Sequence, residues 1–166
     1  KSILINDIQV HYNDEVDGGG KTFGRRMKIV LSEIYPYKTW ERVFEWCAGA
    51  GFIGFELLSS GICDNLYCAD IYDPAIYCMN KTIQNLPEKY SGRVNLKKIK
   101  GIKDLPSEWK FDLVVASWVE EQLPKFPVEH LKLIGLGCLK RCCERRQLIE
   151  LSGYPDGFHI NALQNL

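Results

Sequence analysis

The stretch that most restricts the fold runs from Val43 to Leu58 and reads VFEWCAGAGFIGFELL. A short apolar run enters a loop in which Gly49, Gly51 and Gly54 stand in G-x-G-x-x-G spacing, and a helical pattern follows. Few architectures turn a strand into a helix through so few residues. The pattern predicts the first crossover of a parallel α/β sheet, with a ligand at the loop. Gly49 and Gly51 would leave bare main chain for that ligand to approach. Gly54 would let the helix lie close on the sheet.

The rest of the chain keeps the alternation. Residues 3–12, ILINDIQVHY, alternate apolar and polar side chains and predict a half-buried strand. Gly18, Gly19 and Gly20 predict a mobile loop. Phe23, Met27, Val30, Leu31 and Ile34 recur at helical spacing, and Pro36 ends that helix. The helix after the glycine loop has Gly61 just past its end. Residues 65–73 predict a second buried strand, with Asp73 capping the next helix and Pro74 at its first position. Residues 93–101 and 110–118 predict further strands, and 146–153 a fifth. Residues 128–142 read as a helix, and the tail from Gly157 as a strand or extended coil. Strands alternating with helices pair in parallel through right-handed crossovers. The expected fold class is therefore α/β: a doubly wound, mostly parallel Rossmann-like sheet with helices on both faces.

Asp70 stands 21 residues beyond Gly49, at the tip of the second strand. Its carboxylate can accept hydrogen bonds from two ribose hydroxyls. Glycines plus this acid fit an adenosine-containing ligand, and a nicotinamide dinucleotide shares the fingerprint. Two features favour a ligand without phosphate. Glu45, four residues before Gly49, would repel a pyrophosphate, whereas it suits an ammonium or sulfonium. Trp46 and Cys47 are bulky where a dinucleotide loop begins with small residues.

Together the segment from Val43 to Leu58 and "LYCADIYDPAIYCMNKTI" resemble the first two motifs of class I S-adenosylmethionine-dependent methyltransferases. Glu45 matches the motif's acid, Gly49 and Gly51 its second and third glycines, and Cys47 stands at the first. The resemblance covers roughly residues 23–118. It implies S-adenosyl-L-methionine as cofactor and a single domain over 1–166. Within it, 1–22 form an N-terminal strand and glycine-rich loop, 23–118 the cofactor-binding core, and 119–166 the C-terminal part. Cofactor contacts are implied for Glu45, Cys47, Ala48, Gly49, Gly51, Phe52 and Ile53 in the loop, and for Asp70 at the ribose. Ile71 and Tyr72 would flank the adenine. Thr22, Phe23 and Gly24 would fold over the methionine end, as a lead-in segment does in several members. Gly101 and Ile102 occupy the adenine-binding turn, where the family carries an acid; Asp104 is a substitute for it.

The match to "KFDLVVAS" places Ser117 and Trp118 where many nitrogen methyltransferases carry a proline pair. These two are the candidate catalytic residues, and Glu120 or Glu121 would serve as a general base. The glycine-rich lead-in and the Cys-Ala-Gly loop are nearest to small protein- and nucleic-acid-modifying members, such as the release-factor glutamine methyltransferases. The methyl acceptor, whether protein, RNA or small molecule, is not encoded in these motifs. A methyltransferase-like binding module is the alternative, and an NAD-dependent oxidoreductase a third. Only 48 residues follow Trp118, so a sheet reduced at its C-terminal side, or a chain that has lost segments, is expected. Lys1 in place of an initiating Met predicts a trimmed or renumbered chain.

Composition sets outer bounds. The 21 basic and 21 acidic residues cancel, which argues against strong nonspecific nucleic-acid binding without excluding a local patch. No apolar run approaches the ~18 residues of a membrane span. The seven cysteines are odd in number and form no C-x-x-C pair. They predict reduced thiols in a cytoplasmic protein and no metal site.

Overall fold

The computed structural model describes residues 1–16, 20–101, 104–117, 148–154 and 157–163. A six-stranded sheet forms its centre. It contains β3 (Trp40–Trp46), β4 (Cys63–Asp70), β5 (Val94–Lys98), β6 (Leu113–Ser117), β7 (Leu148–Tyr154) and β8 (Gly157–Leu163). Their spatial order is β5-β4-β3-β6-β7-β8. All neighbours pair in parallel except β7 and β8, which form an antiparallel hairpin. The chain moves outward from β3 to β4 to β5, then returns to β6 on the other side of β3. The order thus reverses beside the C-terminal end of β3, where the glycine loop begins.

Strand parity assigns each side chain to a face. Val43, Leu66, Cys68, Leu113 and Val115 point to one face, where they join residues of α1 (Gly20–Ile34), α2 (Phe52–Ser59) and α3 (Asp73–Gln84) in a single core. Phe44, Ala69 and Val114 point to the other, with Phe111 and Ile99 and the half-buried Trp46, Tyr67, Leu105 and Trp109. There Phe44 and Phe111 stack at 4.6 Å, and Trp109 meets Tyr67 edge-on at 5.0 Å. Burying two phenylalanines stabilises the fold by about 1.5–3 kcal/mol each. The three described helices share one face. The helix expected over 128–142, the candidate for the opposite face, lies outside the described residues.

Helix ends follow from local chemistry. Gly51 caps α2 with φ 79°, and Phe55 N–H donates to its carbonyl at 2.9 Å. At the far end Gly61, at φ 74°, lets its own N–H reach Leu58 O and that of Ile62 reach Leu57 O, closing a Schellman motif. The N-cap of α3 is Tyr72, not Asp73. Asp73 instead pairs with Lys98 of β5 at 2.5 Å.

The N-terminal segment departs from the single strand expected over 3–12. It is a hairpin of β1 (Ser2–Ile5) and β2 (Ile8–His11), separate from the main sheet. Asn6, at φ 52°, makes the turn with Asp7; asparagine tolerates this left-handed region better than most residues. Buried Ile5 and buried Ile8 are three apart, so the alternation changes phase at the turn. α1 begins at Gly20 rather than Phe23, which takes that glycine out of the expected loop; Gly18 and Gly19 lie outside the described residues. The tail from Gly157 is a strand.

Candidate functional site

The glycine loop is fastened from both sides by carboxylates. Asp70, at the end of β4, accepts the Gly49 N–H on Oδ2 at 2.8 Å and the Tyr72 N–H on Oδ1 at 2.9 Å. Its backbone carbonyl accepts from Ile99 at 3.0 Å. One residue therefore ties the loops after β3, β4 and β5 together. Each carboxylate oxygen gives one lone pair to an amide and keeps a second. Asp70 thus retains two acceptor sites, half-exposed, at the point where strand order reverses. Ile71 and Tyr72 follow it and are 58% and 46% exposed. Apolar side chains left in water beside such an acid offer a flat ring something to cover.

Glu45 serves the loop from below. It is 3% exposed, and its Oε2 accepts the Gly54 N–H at 2.8 Å. Gly51 offers α2 no side-chain cap, so a strand carboxyl satisfies an amide of the helix's first turn. Burial pushes the Glu45 carboxyl up to about 8; amides of Gly54 and Ile53 oppose the shift, and the Asp70 charge adds to it. Glu45 thus lies beneath the main chain of the loop, one layer in from solvent.

The glycines serve different ends. A side chain at Gly54 would come within 2.6 Å of Glu45 Oε2 and of Leu66 Cδ1, so this glycine lets helix and sheet close up as expected. At Gly51 a Cβ would lie 2.7 Å from the Phe55 ring. Gly51 is set by its left-handed backbone and by core packing. Gly49 has the open direction: among the described residues, only Val16 Cγ1, at 3.9 Å, faces the missing side chain.

Cys47 stands where the motif it resembles carries a glycine, and its φ is 51°. It adopts the left-handed conformation without being glycine, which costs roughly 1–2 kcal/mol. Burial, then the Asp70 charge, push its thiol up to about 12, so it is no nucleophile at neutral pH. Cys47→Gly is expected to hold or raise stability by up to about 1 kcal/mol, since relieved strain outweighs the ~0.4–1 kcal/mol of added unfolded-state entropy. Denaturant unfolding at pH 7 checks this; a clear loss would mean that thiol packing dominates.

The remaining predicted residues are scattered in exposure. Ala48 is 7%, Phe52 3% and Ile53 4% exposed, so these side chains belong to the core beneath the loop. Thr22 is exposed, Phe23 half-buried and Gly24 buried in α1. A Cβ on Gly24 would meet Phe52 O at 2.6 Å, and one on Gly20 would meet the Phe52 ring at 2.6 Å. The lead-in thus adjoins the loop as a helix. Gly101 N–H and Lys100 N–H both donate to Asp104 Oδ2 at 3.1 Å, which engages that oxygen within its own turn. Ser117 ends β6. Ile102, Trp118, Glu120 and Glu121 lie outside the described residues.

Sequence reasoning missed the segment over the loop. Tyr12 packs against Phe52 with ring centroids 6.1 Å apart, and buried Val16 faces Gly49. Asn13 turns this segment by accepting the Glu15 and Val16 N–H groups on Oδ1. The asparagine–aspartate pair at 13–14 was the available signal. Among the described residues, no group of three or more His, Cys, Asp or Glu is placed to hold a metal, and no helix is long and apolar enough to cross a membrane.

No protein-family model matches the chain, and no curated protein matches it in sequence. Solved structures do. The glycopeptide N-methyltransferase MtfA complexed with sinefungin superposes with a TM-score of 0.64 at 13% identity, over 87% of this chain and 54% of its own. The methyltransferase domain of bacterial CtHen1 gives 0.61 at 14%, over 80% of this chain and 65% of its own. A putative methyltransferase from Pseudomonas syringae gives 0.58 at 18%, over 81% and 78%. This chain thus spans about half the length of MtfA, which has also been crystallised with S-adenosyl-L-methionine and S-adenosyl-L-homocysteine.

Proposed function

We propose that this chain, whose fold is that of the class I methyltransferases, binds S-adenosylmethionine at the β3–β4 edge and transfers its methyl group to an acceptor. The observation that carries the reading is Asp70. It is fixed by the Gly49 and Tyr72 amides at the switch point, with two lone pairs to spare and exposed Ile71 and Tyr72 alongside. A ribose diol needs two acceptors close together, and an adenine needs an apolar surface. The half-exposed acid Asp70 beside the loop suits a cation and disfavours a pyrophosphate.

In this reading Asp70 holds the sugar, Ile71 and Tyr72 hold the base, and the Gly49 main chain approaches the methionine portion. Gly101 lies at the turn after β5, toward the adenine. When bound, the cofactor supplies an electrophilic methyl group on sulfur. The chain's part is alignment of the acceptor's lone pair and exclusion of water, which can account for much of such a rate enhancement. Ser117, at the end of the neighbouring strand β6, and Trp118 are proposed for acceptor positioning.

Calorimetric titration tests the reading. S-adenosylhomocysteine is expected to bind and NAD is not; NAD binding without S-adenosylhomocysteine binding overturns the assignment. One observation favours the alternative of a cofactor-binding module without transferase activity: Asp104, the substitute for the adenine-binding acid, already accepts two amides of its own turn. Labelled S-adenosylmethionine with cell extract separates the two. Transfer by the wild type but not by Gly49→Asp marks an enzyme, and equal background in both marks the module.

A further inference from the structure

We propose that the N-terminal half of α1 is the surface along which a single-stranded nucleic acid, as methyl acceptor, reaches the site. The proposal rests on the methyltransferase reading for the acceptor's role, whereas the surface stands on its own observations. Four of the first nine residues of α1 are cationic: Lys21, Arg25, Arg26 and Lys28. The helix's one acid, Glu33, lies near its other end. This distribution opposes the helix dipole, which favours anions at the N-terminus and cations at the C-terminus. Folding alone would favour the reverse. A chain with 21 basic and 21 acidic residues overall has nevertheless gathered cations here.

The place matters as much as the charge. Gly20 and Gly24 press α1 onto Phe52, the first residue after Gly51. The cationic turns therefore flank the glycine loop. Lys28 pairs with Glu56 at 3.6 Å, and the Arg26 guanidinium lies 6.0 Å from the centre of the Phe23 ring. Among the described residues, neither Lys21 nor Arg25 makes an ion pair, and Arg25 is exposed. They are four residues apart, about 6 Å along the axis, on one side of the helix. Exposed Thr22 adds a hydroxyl at the same end. Guanidinium groups match phosphate through paired N–H donors, and a row of cations matches a chain that carries a charge on every unit.

The test uses the full chain, a fluorescent oligouridylate, and a Lys21→Gln/Arg25→Gln variant. Wild type is expected to bind the oligonucleotide at roughly 50 mM salt and to lose affinity steeply as salt rises. The variant is expected to bind at least tenfold more weakly. Its slope of log affinity against log salt should be shallower by about 1.4, the value for two lost contacts to a single strand. S-adenosylhomocysteine affinity should stay within about twofold, and the thermal midpoint should hold or rise because the helix dipole is relieved. A merely structural role for these cations predicts a lower midpoint and an unchanged salt slope. Equal oligonucleotide affinity in variant and wild type overturns the proposal. So does a wild type that binds S-adenosylhomocysteine but no oligonucleotide; the methyltransferase reading then survives. Oligonucleotide binding without S-adenosylhomocysteine binding sinks that reading and leaves the surface. Polyglutamate competing as well as the oligonucleotide would overturn the nucleic-acid assignment in favour of an acidic protein segment.

Discussion

Replacing Asp70 with alanine is expected to weaken S-adenosylhomocysteine binding by roughly tenfold to a hundredfold, the equivalent of about 1–3 kcal/mol in lost charge-assisted hydrogen bonds. The same change should lower stability by about 1–3 kcal/mol with no ligand present. Two amides, of Gly49 and Tyr72, lose their acceptor, and the loops after β3 and β4 lose their common fastening. The two effects have different tests. Denaturant unfolding without ligand reads the fastening, and titration calorimetry at a temperature where the variant is folded reads the ligand contact. Asp70→Asn sharpens the distinction. It keeps one acceptor oxygen but places an NH2 group against an amide donor, so one of the two loop bonds fails while the side-chain volume is unchanged. A variant that is destabilised yet binds S-adenosylhomocysteine as tightly as wild type would make Asp70 a structural clasp only, and the proposed ribose contact would be wrong.

That double role explains what the sequence could and could not reveal. The strand, loop and helix around Gly49 were legible because their signals are local. An apolar run, glycines at fixed offsets and an acid at the next strand's tip each restrict the backbone within a few residues. The parallel pairing of the central strands followed, since strands alternating with helices join through right-handed crossovers. Contacts between distant segments were not legible. Glu45 capping α2, Gly24 admitting Phe52 O and Val16 facing Gly49 join residues that no periodicity links. The G-x-G-x-x-G spacing does not tell Gly49 from Gly51, yet among the described residues the two differ in the space left by their missing side chains. Gly51 and Gly54 answer to Phe55, Leu66 and Glu45, as space between packed elements decides. The hairpin at Asn6 was hidden by expecting one unbroken alternation, although its phase slips where the chain turns. Cys47 shows the limit in another way: a motif names the residue type that most easily adopts a conformation, and here a different residue adopts it under strain.

Glu45 carries the largest expected dependence on pH. Its carboxyl stands near 8 in the folded chain against 4.5 for an exposed glutamate, because burial disfavours the charged form more than the Gly54 and Ile53 amides favour it. A group whose folded value is raised holds its proton longer folded than unfolded. Between roughly pH 4.5 and 8 the native state binds more protons, so stability falls as pH rises through that window. The loss attributable to this residue has an upper bound of roughly 3–5 kcal/mol, from ~1.4 kcal/mol per unit of displacement. Glu45→Gln keeps an oxygen for the Gly54 N–H and cannot ionise. Its stability should be nearly flat across the window wherever wild type declines, with the two curves diverging toward pH 8. Urea unfolding of both proteins at pH 5, 6.5 and 8 measures the difference. Parallel curves would show that Glu45 keeps its ordinary acidity in the fold, which requires water or a cation beside it. A pocket that already hydrates this carboxylate would meet an incoming sulfonium with a preformed charge, whereas a buried neutral acid must give up its proton first. In the second case, S-adenosylmethionine binding at pH 7 should release protons from wild type and none from Glu45→Gln. Calorimetry in buffers of different ionisation enthalpy reads that release, so the acid beneath the loop can be distinguished from the acid beside it.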